Sequence, residues 1–292
     1  MAVEKAKETD AELVMASDPD ADRVGAAVKN NEGEWVLLNG NQTALMFVYY
    51  LITRWKELGK INGKEYIVKT IVTTETIKTI AERNGVEIYD VYTGFKWIAN
   101  VMRENEGKKN YIGGGEESYG FLCEDFVRDK DAVSACVILA EIAAWAKDQG
   151  LSLYQLLQKI YVEYGFSKEK GISVVKKGKS GAEEIEAMMK KFRENPLTEI
   201  AGSKVTYFYD YSTLKGKDYA ENETVTLDMP TTSNVLQYFT EDNTKVSIRP
   251  SGTEPKIKFY CEVHSKVKSI DELPEAEKAA EEKINQIGRA HV

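Results

Sequence analysis

Between Tyr66 and Gly150 the sequence alternates strand-like and helix-like segments without a break, and this rhythm restricts the fold more than any other feature. YIVKTIVTT (66–74) reads as a buried strand, ETIKTIAERN as a helix stopping at Gly85, and VEIYDVY as a second strand. FKWIANVMREN then reads as a helix, KNYIGG as a short strand, and DAVSACVILAEIAAWAKDQ as a long helix stopping at Gly150. Strands separated by helices imply crossover connections and a mostly parallel sheet covered by helices. Leu45, Met46, Tyr49, Ile52 and Trp55 recur at helical spacing between Gln42 and Leu58, so one more helix precedes the run and closes at Gly59. LYQLLQKIYVEY adds another before Gly165.

The flanks differ in texture. MAVEKAKETD suits the interior of a helix already under way, so the chain is expected to begin mid-domain. ELVMA reads as a buried strand, and AAVK and WVLL as a hairpin around Asn30-Asn31-Glu32-Gly33. Beyond Gly165 come ISVVKK and a helix SGAEEIEAMMKKFREN with a capping box at Ser180 and Glu183. The strands KVTYFYDY, NVLQYFT, KVSIRP and KIKFYCEVHS follow with few helices between them, and a charged helix starts near Leu273. The expected fold is therefore α/β, a mixed α/β domain followed by an α+β C-terminal domain with an antiparallel sheet. The terminal IGRAHV (287–292) reads as translated sequencing adapter, on recognition of the string alone, so His291 carries no weight.

Composition narrows the function classes. A formal charge of -8 argues against a non-specific nucleic-acid binder, while leaving room for a local basic pocket that holds a small phosphorylated ligand. No apolar stretch is long enough to span a bilayer, and the first residues lack the apolar core of a signal peptide. Cys123, Cys136 and Cys261 form no CxxC pair and are odd in number, which favours reduced thiols and a cytoplasmic setting.

Three loops carry chemistry. In MASDPDADRVG (15–25), Asp18, Asp20 and Asp22 follow an apolar strand at every second position; in a near-extended loop such residues face one point. Like charges so close call for a cation, and carboxylates without His or Cys favour Mg²⁺. Arg23 and Lys29 stand where an EF-hand needs Gly and Glu, which excludes that motif. A phosphatase with a strand-end Asp nucleophile fits the same string. In GGGEESYGF (113–121), glycines allow a sharp bend, and Glu116, Glu117 and Ser118 supply partners for sugar hydroxyls. Thr93-Gly94-Phe95-Lys96 opens a helix after a parallel-type strand, where ligand-facing residues gather in α/β domains. RDKD (128–131) reads as a helix start capped by Asp129 or Asp131. In RPSGTEP (249–255), Arg249 offers a bidentate fork, Ser251 and Thr253 offer hydroxyls, and Gly252 lets backbone N–H groups approach an anion.

In chain order, DPDADR, TGFK, GEESYGF and RPSGTEPKIKFY resemble the metal, sugar and phosphate motifs of the α-D-phosphohexomutases, the phosphoglucomutase and phosphomannomutase family. The resemblance covers nearly the whole chain. It implies residues 1–38 as the C-terminal part of the second of four domains, carrying the metal loop, 39–165 as the sugar-binding third domain and 166–292 as the phosphate-binding fourth. It also implies interconversion of hexose 1-phosphates and 6-phosphates through an active-site phosphoserine and a bisphosphorylated sugar. Asp18, Asp20 and Asp22 would hold Mg²⁺ and Arg23 would lie beside the transferring phosphate. Thr93, Gly94 and Lys96 would line the sugar, with Lys96 as one candidate for the general acid or base. Glu116 and Ser118 would grip ring hydroxyls, and Arg249, Ser251, Gly252 and Thr253 would hold the phosphate not in transfer. GEES rather than GEMS leans towards glucose 1-phosphate and 6-phosphate, with mannose phosphates also accepted by many relatives.

One family motif has no counterpart. The serine loop, of Ser-His-Asn-Pro character, is absent, and neither His264 nor His291 has such neighbours. The expectation is a fragment that lacks the phosphoserine domain and is inactive alone. A non-catalytic phosphosugar-binding module is the second reading. A Mg²⁺-dependent phosphatase using Asp18 is the third, and it leaves the GEES and RPSGTEP loops without a role.

Overall fold

The structure, a computed structural model, describes residues 1–292 apart from Lys177, Thr253 and Val292 and the side chains of Lys179 and His291. The chain divides into two compact units, Met1–Gly165 and Phe166–Val292.

The first unit opens with α1 (Ala2–Glu8) and an antiparallel sheet in the order β1 (Leu13–Ser17), β2 (Val24–Lys29), β3 (Trp35–Leu38). The β2–β3 turn is closed by the Asn30 side chain, whose Oδ1 accepts from the backbone N–H groups of Glu32 at 3.1 Å and Glu34 at 2.8 Å. Next come α2 (Gly40–Glu57), β4 (Glu65–Thr70), α3 (Thr76–Arg83), β5 (Glu87–Val91), α4 (Phe95–Asn105), β6 (Asn110–Gly115), β7 (Phe121–Cys123), α5 (Ala132–Asp148) and α6 (Leu153–Tyr164). Their sheet runs β5-β4-β6-β7; the first three strands are parallel and β7 returns antiparallel on β6.

Burial explains the layering. Phe95, Ile98, Val101 and Met102 of α4 share one core cluster with Tyr66, Val68, Val91, Tyr111 and Leu122 of the sheet. On the opposite face Gly113 lies under Leu51 of α2, and Phe47 stacks on Phe121 with ring centroids 4.6 Å apart. The first parallel strand ends at Thr70, earlier than the sequence pattern implies, because Ile71–Thr74 turn back at the end of the sheet: Thr73 N–H donates to the Thr70 carbonyl at 3.0 Å. Both α2 and α6 start with reciprocal capping boxes, Asn39 with Gln42 and Ser152 with Gln155. Asp131 caps α5, accepting from Val133 N–H at 3.3 Å and Ser134 N–H at 2.8 Å. Asp131→Ala is therefore expected to lose about 1 kcal/mol in a urea titration.

The second unit is built on a sheet in the order β12-β11-β10-β13-β14-β15-β8, antiparallel throughout: β8 (Phe166–Val175), β10 (Ser203–Asp210), β11 (Lys215–Asp218), β12 (Glu223–Thr226), β13 (Leu236–Thr240), β14 (Lys245–Pro250) and β15 (Lys256–Ser265). A two-residue strand, β9 (Glu199–Ile200), pairs with β10. The strand before the first helix starts at Phe166 rather than Ile172, because all of its residues to Val175 pair with β15. Two helices, α7 (Gly178–Glu194) and α8 (Leu273–His291), lie on one face. Phe192 of α7 meets Phe259 at a centroid distance of 6.1 Å, a Cβ on Gly288 of α8 would meet Ile172 at 3.2 Å, and Phe259 and Ile172 are cross-strand partners. Helix α7 already includes Gly178, so Ser180 sits in its first turn and cannot be its cap. Ile287 is fully buried beside Ile284 and Ala280 at helical spacing. Among the described residues no helix is long and apolar enough to cross a membrane.

Candidate functional site

Strand β1 ends at Ser17, and the chain turns at once through Asp18–Arg23 into β2. The loop is a tight turn, not the near-extended segment that the alternating aspartates suggest. Ala21 takes a positive φ of 55°, and its N–H donates to the Asp18 carbonyl at 3.0 Å. The three carboxylates converge through this turn, with one oxygen from each of Asp18, Asp20 and Asp22 within 4.8 Å of the others. Asp18 Oδ1 accepts from the N–H groups of Asp22 at 3.2 Å and Arg23 at 3.1 Å. Desolvation works against its charge, but these backbone donors outweigh it and hold Asp18 below the usual carboxylate range.

The donor set fits a hard divalent cation. All three ligands are carboxylates, and Asp22 Oδ1 is buried with no hydrogen-bond partner, with Arg23 Nε 3.5 Å away. Arg23 Nε also lies 3.9 Å from Asp18 Oδ2, so the arginine flanks the carboxylate cluster.

The acidic loop after β6 docks directly on this turn. Arg23 and Gly120 form an antiparallel bridge, and Val24 N–H donates to the Tyr119 carbonyl at 3.2 Å. Glu116 is buried, and its Oε1 accepts from Gly94 N–H at 2.7 Å, which ties the loop to the start of α4. Gly94 can cap that helix because its φ of 113° is open to glycine. Glu117 is turned the other way, towards Thr70, whose hydroxyl donates to it at 3.3 Å. Ser118 and Thr93 are half-buried, whereas Lys96 is exposed with its ammonium 5.1 Å from the centre of the Trp97 ring. Asp18, Asp20, Asp22, Arg23, Gly94 and Glu116 thus belong to one connected region of the first unit.

In the second unit the RPSGTEP segment is the β14–β15 turn. Its neck is closed by Ser251 N–H donating to the Lys256 carbonyl at 2.7 Å, and Ser251 Oγ accepts from Glu254 N–H at 3.3 Å. Arg249 pairs across the strands with Lys258, which puts two cations side by side at the base of the turn. A Cβ on Gly252 would meet nothing within 4 Å, so its backbone is open to approach. A groove of about 520 Å³ runs beside the turn, lined by Ala182, Ile185 and Met189 of α7 and by Pro250, Ser251 and Gly252. Thr253 lies outside the described residues.

Residues 39–164 match the family model of the phosphoglucomutase/phosphomannomutase alpha/beta/alpha domain III, and residues 173–280 match that of its C-terminal domain. The chain belongs to this family. It is 33% identical over 264 residues to a phosphoglucomutase of Staphylococcus haemolyticus, and 38% identical over 259 residues to one of Staphylococcus aureus. These alignments cover 90% and 89% of the chain but 47% and 46% of the relatives, so the chain spans about half their length. Its fold is similar to that of Paramecium parafusin, a phosphoglucomutase, with a TM-score of 0.58 at 17% identity over 96% of this chain and 47% of that one. A Burkholderia thailandensis member of the family gives a TM-score of 0.58 at 20% identity, covering 96% and 49%.

Two residues of this region were not singled out by the sequence pattern. Lys130, read only as part of a helix start, extends its ammonium to Asp22 Oδ2 at 2.7 Å, with Asp129 at 3.3 Å. Burial opposes its charge, but the hydrogen bond to Asp22 and the charges of both aspartates outweigh that and hold its pKa above the ordinary lysine value. The run of charges in RDKD was the available signal, and nothing in it indicates that its lysine points inward. Gly40, the first residue of α2, supports the acidic loop: a Cβ there would lie 2.0 Å from the Glu117 carbonyl oxygen.

Proposed function

We propose that this chain is the metal-, sugar- and phosphate-binding part of a phosphoglucomutase/phosphomannomutase that interconverts hexose 1-phosphates and 6-phosphates. The observation that carries this reading is the docking of the Asp18–Arg23 turn on the Glu116–Gly120 loop, which sets a hard-cation site against groups suited to sugar hydroxyls. Mg²⁺ held by Asp18, Asp20 and Asp22 would offset negative charge on the phosphoryl group in transfer. Arg23 would stabilise the same charge from the edge of the cluster. Glu116, already fixed by the Gly94 amide, would accept from a ring hydroxyl with its remaining lone pairs, and Ser118 would donate or accept beside it. Arg249, Ser251 and Gly252 would hold a phosphate in the second unit, Arg249 by charge-assisted pairing and Gly252 by its accessible backbone.

No Ser-His-Asn-Pro loop occurs in the sequence, so the phosphoryl-carrying serine is taken to lie outside these residues. The purified chain should therefore bind glucose 1-phosphate in the presence of Mg²⁺ without turning it over. Calorimetry and a coupled assay for glucose 6-phosphate test this, with mannose 1-phosphate run in parallel. Arg249→Ala is expected to weaken binding roughly tenfold or more, the loss of one charge-assisted phosphate contact. Sustained formation of glucose 6-phosphate would overturn the fragment reading, release of inorganic phosphate would favour a phosphatase, and a chain that binds neither sugar phosphate would sink the proposal as a whole.

A further inference from the structure

Lys130 stands apart from the residues so far assigned a task. Its side chain is only 13% exposed, its ammonium lies 2.7 Å from Asp22 Oδ2, and it sits 5.7 Å from the centre of the Phe95 ring. The stem passes beneath Gly120, where an added Cβ would come within 2.2 Å of Lys130 Cδ. One lysine therefore threads between the aspartate turn, the acidic loop and the start of α4.

The aspartate turn does not need this lysine for its shape. Asp18 accepts from two backbone N–H groups, Ala21 N–H closes on the Asp18 carbonyl, and Ala132 N–H donates to the Ala21 carbonyl at 3.0 Å. What Lys130 contributes is charge. Three carboxylates face two cations, Arg23 and Lys130, and both cations lean on Asp22. A divalent ion entering through the buried, unpartnered Asp22 Oδ1 would confront the ammonium across a single carboxylate. The ammonium has somewhere to retreat, since exposed Asp129 is its second partner.

We propose that Lys130 is a resident counter-cation of the aspartate turn, which holds Asp22 when no ion is bound and is displaced towards Asp129 when one is. It is a positioning residue acting through Asp22. Cation affinity is then set by competition with Lys130, and ion loading frees a positive charge for an anionic ligand. This rests on the Mg²⁺ reading given above.

The test compares Mn²⁺ binding, followed by electron paramagnetic resonance, for the full wild-type chain, Lys130→Met and Lys130→Arg, with circular dichroism to verify folding. Lys130→Met should bind Mn²⁺ roughly tenfold more tightly, an advantage that shrinks as salt is added. Lys130→Arg should stay close to the wild type. A lysine with a merely structural task would give the opposite sign, because damage to the turn weakens binding. In the wild type, Mg²⁺ should raise the acetylation of Lys130 by acetic anhydride, read by mass spectrometry, and this measurement decides if Lys130→Met does not fold. A wild-type chain that takes up no Mn²⁺ overturns the Mg²⁺ reading and the proposal with it. A wild type that binds, with Lys130→Met no tighter or with unchanged acetylation, overturns the Lys130 proposal alone.

Discussion

Replacing Glu262 by glutamine is expected to destabilise the protein by roughly 3–5 kcal/mol, the largest effect of any single substitution considered. Glu262 on β15 pairs across the strands with Lys245 on β14, whose ammonium lies 2.9 Å from Glu262 Oε2 with side-chain exposures of 1% and 4%. On its other oxygen, Oε1, it meets His264 Nε2 at 2.6 Å. Removing the carboxylate charge leaves a buried ammonium facing a neutral amide, whereas the intact pair offsets its own desolvation. Chemical denaturation reads the loss, and a change below 1 kcal/mol would show that Lys245 relaxes to water.

The same cluster gives stability a pH dependence with a defined sign. Burial opposes charge on His264, but the Glu262 carboxylate outweighs it and raises the histidine pKa above the ordinary value. Burial likewise opposes charge on Glu262, and Lys245 and His264 outweigh it, lowering its pKa. The histidine contribution is complete below the unfolded value of about 6.5 and is lost as pH rises through the folded value. The glutamate contribution is complete above about 4.3 and is lost as pH falls through its folded value. Stability from this pair therefore peaks between those limits. His264→Gln should flatten the decline on the alkaline side, which denaturation midpoints measured from pH 6 upwards would show.

The second large effect is expected at Gly40. Alanine is normally worth about 1 kcal/mol more than glycine in a helix. Here its Cβ would lie 2.0 Å from the Glu117 oxygen, 2.7 Å from the Glu117 carbonyl carbon and 2.7 Å from the Tyr119 nitrogen, all of them backbone atoms. The clash exceeds the helical gain, and Gly40→Ala should cost roughly 2–4 kcal/mol, as overpacking against an unyielding neighbour does. It should also shift the Glu116–Gly120 loop and weaken sugar-phosphate binding along with stability. Gly171→Ala serves as the control: a Cβ there meets nothing within 4 Å, so its midpoint should scarcely move. Equal midpoints for the two variants would mean that α2 can slide away from the loop.

Much of the architecture was open to reading from local pattern. The βαβ rhythm from β4 to α5 follows from apolar periodicity, and several helix ends are marked by a residue acting within a few positions of itself, such as Asn39, Asp131, Ser152 or Gly59. The chemistry of the loops was legible for the same reason, because clustered aspartates, glycines and hydroxyls announce themselves by type. Strands β11 and β12 were missed. KGKD and ETVT carry no apolar alternation and exist as strands only because β10 offers β11 an edge, and β11 in turn offers one to β12.

The sequence by itself determined the α/β run, the antiparallel second unit and the residue types brought to each turn, since these depend on neighbours a few positions apart. Tertiary structure alone decided how charge and space are shared among them. It bends the aspartate turn instead of extending it, commits one Glu116 oxygen to the Gly94 amide, sets Lys130 against Asp22 and closes α2 onto the Glu117 carbonyl. The last three join segments far apart in the chain, so their geometry depends on sheet register and helix packing, and a contact energy that changes over a few tenths of an ångström has no trace in residue order.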